Sequence, residues 1–232
     1  MSDQLQTLST RRFFDRQAAS WSREYRAGGR MADRTVRFLD AACRHCPEPG
    51  GALDVGCGSG EIAAWFADAG WHVTAADLSP AMIEVARNKG SGRSIDFVTL
   101  SPGAGLPFAD GGFDLVVCSS VLEYVGDLPH HLAEVARVLR PGGWFFATVP
   151  DLRHPSRRAE AAKQRIALNP VFFMLARLSP WRSSCEWLRL SINHFSLADW
   201  TALFRAAGLE PIMPERCEHP LALIAAQCRR AA

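Results

Sequence analysis

Hydrophobic and polar positions follow two periods along this chain, and the switches between them outline its elements. From Arg11 to Arg26, Phe14, Ala18, Trp21 and Tyr25 recur at spacings of three and four, which predicts a helix with one apolar stripe. Gly28-Gly29 predicts its end. A second helix from Met31 to about Ala42 leads into Pro47-Glu48-Pro49-Gly50-Gly51, a stretch of linker composition.

Beyond the linker, short apolar runs alternate with helical stretches. Residues 52–56 predict a first strand and 59–69 a helix; Trp71 to Ala76 predict a second strand, ending at Asp77. Ser79-Pro80 predicts a capped helix start, with the helix ending near Lys89, and Ile95 to Leu100 form a third strand. Asp110-Gly111-Gly112 reads as a turn before a fourth strand, Phe113 to Cys118. Leu128 to Leu139 is helical, Arg140-Pro141-Gly142-Gly143 reads as a turn, and Trp144 to Val149 is a strand apolar enough to be buried on both faces. Helical periodicity returns from Ser156 to Leu168, followed by Val171-Phe172-Phe173-Met174-Leu175 and by Trp181 and Trp187. Ser196 caps a last helix closed by Gly208, and residues 210–213 and Leu221 to Cys228 predict an antiparallel pair at the sheet edge. The sum is an α/β fold: a Rossmann-like, doubly wound, seven-stranded sheet, mostly parallel with an antiparallel edge strand, whose ligands bind beyond the carboxyl ends of the strands.

One stretch combines a strand, a turn and a helix start: Leu53-Asp54-Val55-Gly56-Cys57-Gly58-Ser59-Gly60. Glycine takes positive φ without steric cost and lets backbone approach a ligand closely, so the stretch reads as a ligand cradle. Dinucleotide folds space their glycines G-x-G-x-x-G. Here the third glycine comes one residue early and Glu61 follows it, an anionic side chain that would repel a pyrophosphate and suits a cationic or zwitterionic ligand. Asp77, at the carboxyl end of the second strand, lies where a ribose would be held, and its carboxylate can accept from both hydroxyls.

Asp54-x-Gly56-x-Gly58-x-Gly60 resembles the first motif of class I S-adenosylmethionine-dependent methyltransferases. The resemblance continues through Asp77, Leu106-Pro107-Phe108, Phe113-Asp114-Leu115-Val116 and Leu139-Arg140-Pro141-Gly142-Gly143, covering about residues 10–150, with a weaker echo from Asn193 to Leu209. It implies S-adenosyl-L-methionine as cofactor, held by the loop from Asp54 through Gly56, Cys57, Gly58 and Gly60 and by Asp77, with Leu78 against the adenine. The backbone at Cys118 and Ser119 would meet the methionine end, and Tyr124 would face the cavity. Phe13 to Ala18 with Trp21 looks like the lid helix of the quinone-biosynthesis type of small-molecule methyltransferases. The family commonly carries an acid soon after the third strand. This chain has Ser101-Pro102-Gly103 there, so Ser101 and Pro102 would have to serve the adenine edge.

Length and composition bound this picture. At 232 residues and 48% apolar content the chain can bury one full core. The division expected is N-terminal lid helices over residues 1–50, a cofactor-binding core over 51–150, an acceptor cap over 151–190, and a closing helix with the last strands over 191–232. No apolar run approaches the roughly 18 residues needed to span a bilayer and no charged leader precedes one, so a cytoplasmic protein without a transmembrane segment is expected. Seven cysteines without regular spacing fit a reducing compartment, and Cys43-Arg44-His45-Cys46 lacks the second pair a structural zinc needs, so no metal is expected. The net charge of +2 conceals +5 over residues 11–37, −7 over 38–150 and +5 over 151–189. Basic segments over the active site suit an anionic acceptor, as do Arg153, Arg157, Arg158, Arg177, Arg182 and Arg189 among the aromatic rings of the cap; solvated helix faces are the plainer explanation.

The function expected is methyl transfer to a small, hydrophobic and partly anionic metabolite, with oxygen slightly favoured over nitrogen or carbon. Nucleic acid is disfavoured as a partner, because neither the Asn/Asp-Pro-Pro-aromatic motif nor a Pro-Cys nucleophile follows the fourth strand. A protein or RNA methyltransferase docking through the basic cap, a non-catalytic binding module and contact of the cap with a membrane surface remain as alternatives. Orientation can supply up to about 7 to 11 kcal/mol of the barrier, so a general base is needed only where the acceptor must lose a proton. His194, Tyr124 and His154 are the candidates.

Overall fold

The computed structural model describes residues 3–25, 31, 33–46, 48–176, 179–214 and 218–229. The Gly28-Gly29 break, Pro47 and Arg177 lie outside these residues. Seven strands form one sheet in the order β3-β2-β1-β4-β5-β7-β6. They are β1 (Gly51–Val55), β2 (His72–Asp77), β3 (Ile95–Thr99), β4 (Phe113–Cys118), β5 (Leu139–Pro150), β6 (Leu209–Ile212) and β7 (Leu221–Cys228). Strands β1 to β5 pair in parallel, while β7 runs antiparallel to both β5 and β6, so that β6 outside it again points with the rest. The order reverses between β1 and β4, and the crevice above that point is where open α/β sheets take their ligands.

Helices cover both faces because every interior strand is apolar on both. On one face α5 (Leu128–Val138) and α9 (Leu197–Ala206) bury Leu132, Val135, Trp200 and Phe204 against Leu53, Val116 and Phe145. On the other, α2 (Arg34–His45), α3 (Glu61–Asp68) and α4 (Pro80–Lys89) bury Phe38, Phe66 and Ile83 against Ala52, Val73 and Leu115. Two caps read from the sequence are made: Ser79 Oγ accepts from the Met82 amide, and Ser196 forms a reciprocal capping box with Asp199. The Cys43-Arg44-His45-Cys46 stretch ends α2, with the His45 ring 4.3 Å from Trp144 and the Cys46 thiol pushed up to about 11 by burial.

Two elements differ from expectation. The Arg140-Pro141-Gly142-Gly143 turn lies inside β5, as an irregularity where the pairing steps from Phe113 with Leu139 to Leu115 with Trp144. Gly142, at φ 81°, supplies the backbone conformation this requires. The N-terminal helix α1 runs from Asp3 to Trp21, starting eight residues before the expected Arg11. Its buried positions include Gln6, Thr10, Phe13 and Ala18, whereas Phe14 and Trp21 line a cavity. Gln6 accounts for the extension: its Nε2 donates to the carbonyls of Tyr124 (3.1 Å) and Leu190 (2.8 Å), a role that hydrophobic periodicity cannot reveal.

The cap comprises α6 (Pro155–Ala167), α7 (Pro170–Ala176) and α8 (Arg182–Leu190). It meets α1 in a small separate core of Phe13, Tyr124 and Leu190, with Phe14 and Trp187 packed beside them. Among the described residues no helix is long and apolar enough to cross a membrane.

Asp54 is a carboxyl group sunk at the carboxyl end of the central strand, with neither oxygen meeting a hydrogen-bond partner. Burial pushes its pKa up to about 8, and Asp77 and Glu61 add to the rise. Its folded pKa therefore exceeds the unfolded one, and the chain takes up a proton at this site on folding. The stability that the neutral acid contributes is complete below about pH 4 and is lost as pH rises through about 8. Thermal melts of the ligand-free chain should show a Tm that falls between these limits. Asp54→Asn should flatten that fall and raise Tm at pH 8; equal pH profiles for the two proteins would disprove it.

Candidate functional site

The site is built on the link between the ends of β1 and β2. The amides of Gly56 and Cys57 donate to Ala76 O at 2.7 and 3.1 Å, turning the chain at the sheet rim. Asp77 completes the turn: Oδ2 accepts from Gly58 N at 2.9 Å and Oδ1 from Ser79 N at 2.8 Å. Burial pushes this carboxylate up to about 6, while the Ser79 and Gly58 amides pull the other way. Each carboxylate oxygen keeps a second acceptor site, so the tethers leave Asp77 able to receive two hydroxyls. Ser79 Oγ also donates to Asp15 on α1 at 2.6 Å, which fastens the N-terminal helix to the same rim.

The three motif glycines have φ of 73°, 53° and 82°, a conformation that side chains disfavour. Two of them, Gly56 and Gly58, line the cavity described below, and at all three the side-chain direction is filled by protein. A Cβ on Gly56 would stand 2.2 Å from Val121 Cγ2, one on Gly60 3.0 Å from Ala86 Cβ, and one on Gly58 3.1 Å from Trp21 Nε1. Close approach here is between the loop and three neighbours: the segment after β4, α4 and the N-terminal helix. The charge argument from Glu61 is also corrected: its carboxylate is paired with Lys89 and accepts from Ser59 Oγ. It presents no free charge at the helix start.

Above the rim lies a cavity of about 1060 Å³, roofed by α1 and walled by α6 and α8. Of the residues expected to hold a cofactor, Gly56, Cys57, Gly58, Asp77 and Leu78 line it, and so do Ser101, Pro102 and Ser119. Asp54, Gly60 and Cys118 are not on its surface. Two polar atoms of residues lining this cavity are buried without a partner, Thr10 Oγ1 and His131 Nε2, while the Ser119 hydroxyl stands beside that of Tyr25. Burial lowers the His131 pKa to about 4, so its ring is neutral and can donate or accept. These unpaired atoms and the spare acceptor sites of Asp77 fit a polar, hydroxyl-bearing ligand such as an adenosyl group.

The three candidate bases fare differently. Tyr124 lines the cavity, with its hydroxyl accepting from Trp187 Nε1 at 2.8 Å and its ring 5.4 Å from Phe14. Burial pushes its pKa well up, so it remains a phenol and a poor base. His154 is a correction: it sits outside the cavity, where it caps α6 and its Nδ1 lies 2.8 Å from Ser156 Oγ. His194 also lies outside the lining, with Nε2 2.8 Å from Ser191 Oγ. Ser191 Oγ in turn donates to Glu123 Oε2 at 3.0 Å, and Glu123 does line the cavity. A serine hydroxyl has one proton, so if it donates to Glu123 it must accept from His194 Nε2–H. His194 is held neutral by burial and by Arg157, both of which lower its pKa. Glu123 is pushed up by burial, against the pull of Arg157 3.6 Å away.

Most of the expected cap arginines are engaged elsewhere. Arg153 pairs with Asp151, Arg182 with Glu186, and Arg189 lies 4.3 Å above the Phe173 ring. Arg157 lines the cavity but bonds both Glu160 oxygens at 2.8 Å. The cavity's further guanidinium groups come instead from α1 and α2: Arg11, Arg34 and Arg37. Arg34 donates to Ser120 Oγ at 2.8 Å, and Ser120 is a non-glycine residue at φ 56°, pinned also by its amide to Thr148 Oγ1. Sequence reading overlooked Arg34, Glu123 and His131 as cavity residues. The net charge of residues 11–37 pointed toward the first, and no pattern in the sequence distinguishes the other two.

The profile of the methyltransferase domain family matches residues 53–147. The chain is 33% identical over 197 residues to a demethylmenaquinone methyltransferase of Tropheryma whipplei, covering 84% of this chain and 78% of that protein. It is 41% identical over 100 residues to a ubiquinone biosynthesis O-methyltransferase of Thiobacillus denitrificans, covering 42% of this chain and 43% of that one. A solved S-adenosylmethionine-dependent methyltransferase from Thermotoga maritima superposes with a TM-score of 0.66 at 19% identity, over 94% of this chain and 99% of that one, which attests the fold. With the strand order, the glycine rim and these likenesses together, the chain belongs to the class I methyltransferases, enzymes whose methyl donor is S-adenosyl-L-methionine.

Proposed function

We propose that this enzyme methylates a small, hydrophobic and partly anionic metabolite, at oxygen in preference to nitrogen or carbon. The observation that carries this reading is the roofed cavity of about 1060 Å³, in which the glycine rim faces the aromatic rings of Phe14, Trp21, Tyr124 and Trp187. A nucleoside cofactor and a drug-sized acceptor fit side by side in such a volume. An acceptor on a folded protein or a long polynucleotide does not suit a site closed by helices on several sides.

In this reading Asp77 receives the ribose hydroxyls and Leu78 packs on the base. The backbone of Gly56, Cys57 and Gly58 and that of Cys118 and Ser119 border the amino acid end. Ser101 and Pro102 close the adenine side, where His131 offers a neutral ring nitrogen in place of the missing acid. The sulfonium of the bound cofactor supplies an activated methyl group, so the chain's own task is to align the acceptor and exclude water. The rings from α1 and α8 perform that task by giving a flat acceptor faces to pack against. Arg34, fixed by Ser120, meets a carboxylate or phenolate on the acceptor.

A hydroxyl acceptor has a proton to lose. Glu123 is positioned to receive it, with Ser191 and His194 as positioning residues behind. Its raised pKa makes it a better base than an exposed carboxylate, and the rate should rise with pH as it deprotonates.

Calorimetry with S-adenosylmethionine should show Asp77→Ala binding at least about tenfold more weakly, since hydrogen bonds to a charged group contribute about 1.5 to 3 kcal/mol. Undiminished affinity would remove Asp77 from the site. With any acceptor found by screening phenols, carboxylates and quinols, Glu123→Gln should lower kcat by about 100-fold and leave cofactor affinity unchanged. An unaltered kcat would show that Glu123 is not the base. Turnover on peptides or RNA, with none on the small-molecule panel, would overturn the acceptor class.

A further inference from the structure

The structure exposes large apolar side chains at scattered single positions, with one exception. Of eleven such residues among those described, six fall between Ile166 and Trp181: Ile166, Leu168, Val171, Met174, Leu175 and Trp181. Val171, Met174 and Leu175 occupy one face of α7 at spacings of three and one, and they are 62%, 62% and 61% exposed. Trp181, beside the start of α8, is 68% exposed, and Ile166 and Leu168, at the end of α6, are 55% and 52% exposed. Isolated exposed apolar residues are ordinary, but a run of this kind marks a surface that meets something apolar.

Charge identifies the occupant. Residues 151–189 carry a net +5. Arg158 and Arg165, both exposed and seven residues apart on one face of α6, have no carboxylate partner among the described residues; Lys163 between them is exposed as well. An apolar helix face bordered by unpaired cations matches the boundary of a bilayer that contains anionic lipid, where rings and alkyl chains enter and basic groups remain at the phosphates. A second copy of the chain would bring its own Arg158, Lys163 and Arg165 against these. Nucleic acid would meet the cations but would leave Val171, Met174 and Leu175 in water.

We infer that the outer face of α6, α7 and the start of α8 is a docking surface for an anionic membrane. The inner sides of α6 and α8 line the cavity through Arg157, Glu160, Ser183 and Trp187. Docking through the outer face therefore sets the cavity wall formed by α6 and α8 against the lipid boundary, close to any acceptor dissolved in the bilayer. The inference extends the proposed function but does not depend on the identity of the acceptor.

Cosedimentation of the full chain with vesicles tests it. Binding to vesicles of phosphatidylcholine with about 30% phosphatidylglycerol should exceed binding to phosphatidylcholine alone by about tenfold or more, and should weaken as salt is raised. Met174→Asp with Leu175→Asp should reduce binding to the mixed vesicles by about tenfold or more, with calorimetric affinity for S-adenosylmethionine unchanged. That cofactor affinity reports on the fold and on the methyltransferase site, so a failure there is distinguishable from a failure to dock. Three outcomes would overturn the inference: no binding to either vesicle, equal binding by the double variant, or a dimer in solution that the double variant dissociates. Salt-sensitive RNA binding without vesicle binding would reassign the surface to a polynucleotide.

Discussion

The double tether of Asp77 is the interaction on which the site rests. One buried carboxylate takes the Gly58 amide from the loop after β1 and the Ser79 amide from the start of α4, and so fixes the separation of two strand ends at the sheet rim. Hydrogen bonds to a charged acceptor are about twice as strong as those between neutral groups, and burial denies them competition from water. The same burial raises the pKa of Asp77, so the geometry is bought with a strained ionisation that bound hydroxyls would relieve. Asp54 below it has the same difficulty without the tethers, and its pKa rises further.

The roof helix α1 is connected to the rim and the cap largely through polar contacts. Asp15 reaches Ser79, Lys89 bonds Ser22 at 3.0 Å, and Gln6 holds the carbonyls of Tyr124 and Leu190. Asn193 adds two bonds, to the carbonyls of Leu122 and Val125 at 2.8 and 2.7 Å. The roof thus has few buried apolar side chains of its own, a small cluster around Phe13, Tyr124 and Leu190. Elements held mainly by a few hydrogen bonds open at lower cost than a packed core, which suits a cover through which cofactor and acceptor must pass.

Charges on the cap divide by direction. Inward, Arg157 is neutralised by Glu160 and shares Glu123, so the cavity's polar end is a balanced network rather than a basic funnel. Outward, Arg158 and Arg165 are exposed on α6 without a carboxylate partner among the described residues, in the same cap as the exposed apolar face of α7. A count over residues 151–189 sums both directions and cannot separate them. That is why the basic cap, read as a single property, suggested an acceptor contact that Arg34 on α2 is better placed to make.

The chain alone determined the local and periodic features. Apolar runs of period two and stripes of period 3.6 reported which residues would form strands and helices, and Ser79, Ser196 and the glycines at 56, 58 and 60 marked their ends, because caps and positive φ are properties of adjacent residues. The order of the motifs carried the family and its methyl donor. Tertiary structure decided what those residues touch. It brought Val121 to Gly56, Lys89 to Glu61 and Ser191 between Glu123 and His194, pairs separated by 28 to 68 positions or joined through a third residue. It also turned the apolar stripe of α1 toward a cavity and gave the buried side to Gln6. No window along the sequence contains such relations, since a contact between distant residues depends on how whole elements pack, and the same side chain is a base, a cap or a tether according to what packing sets beside it.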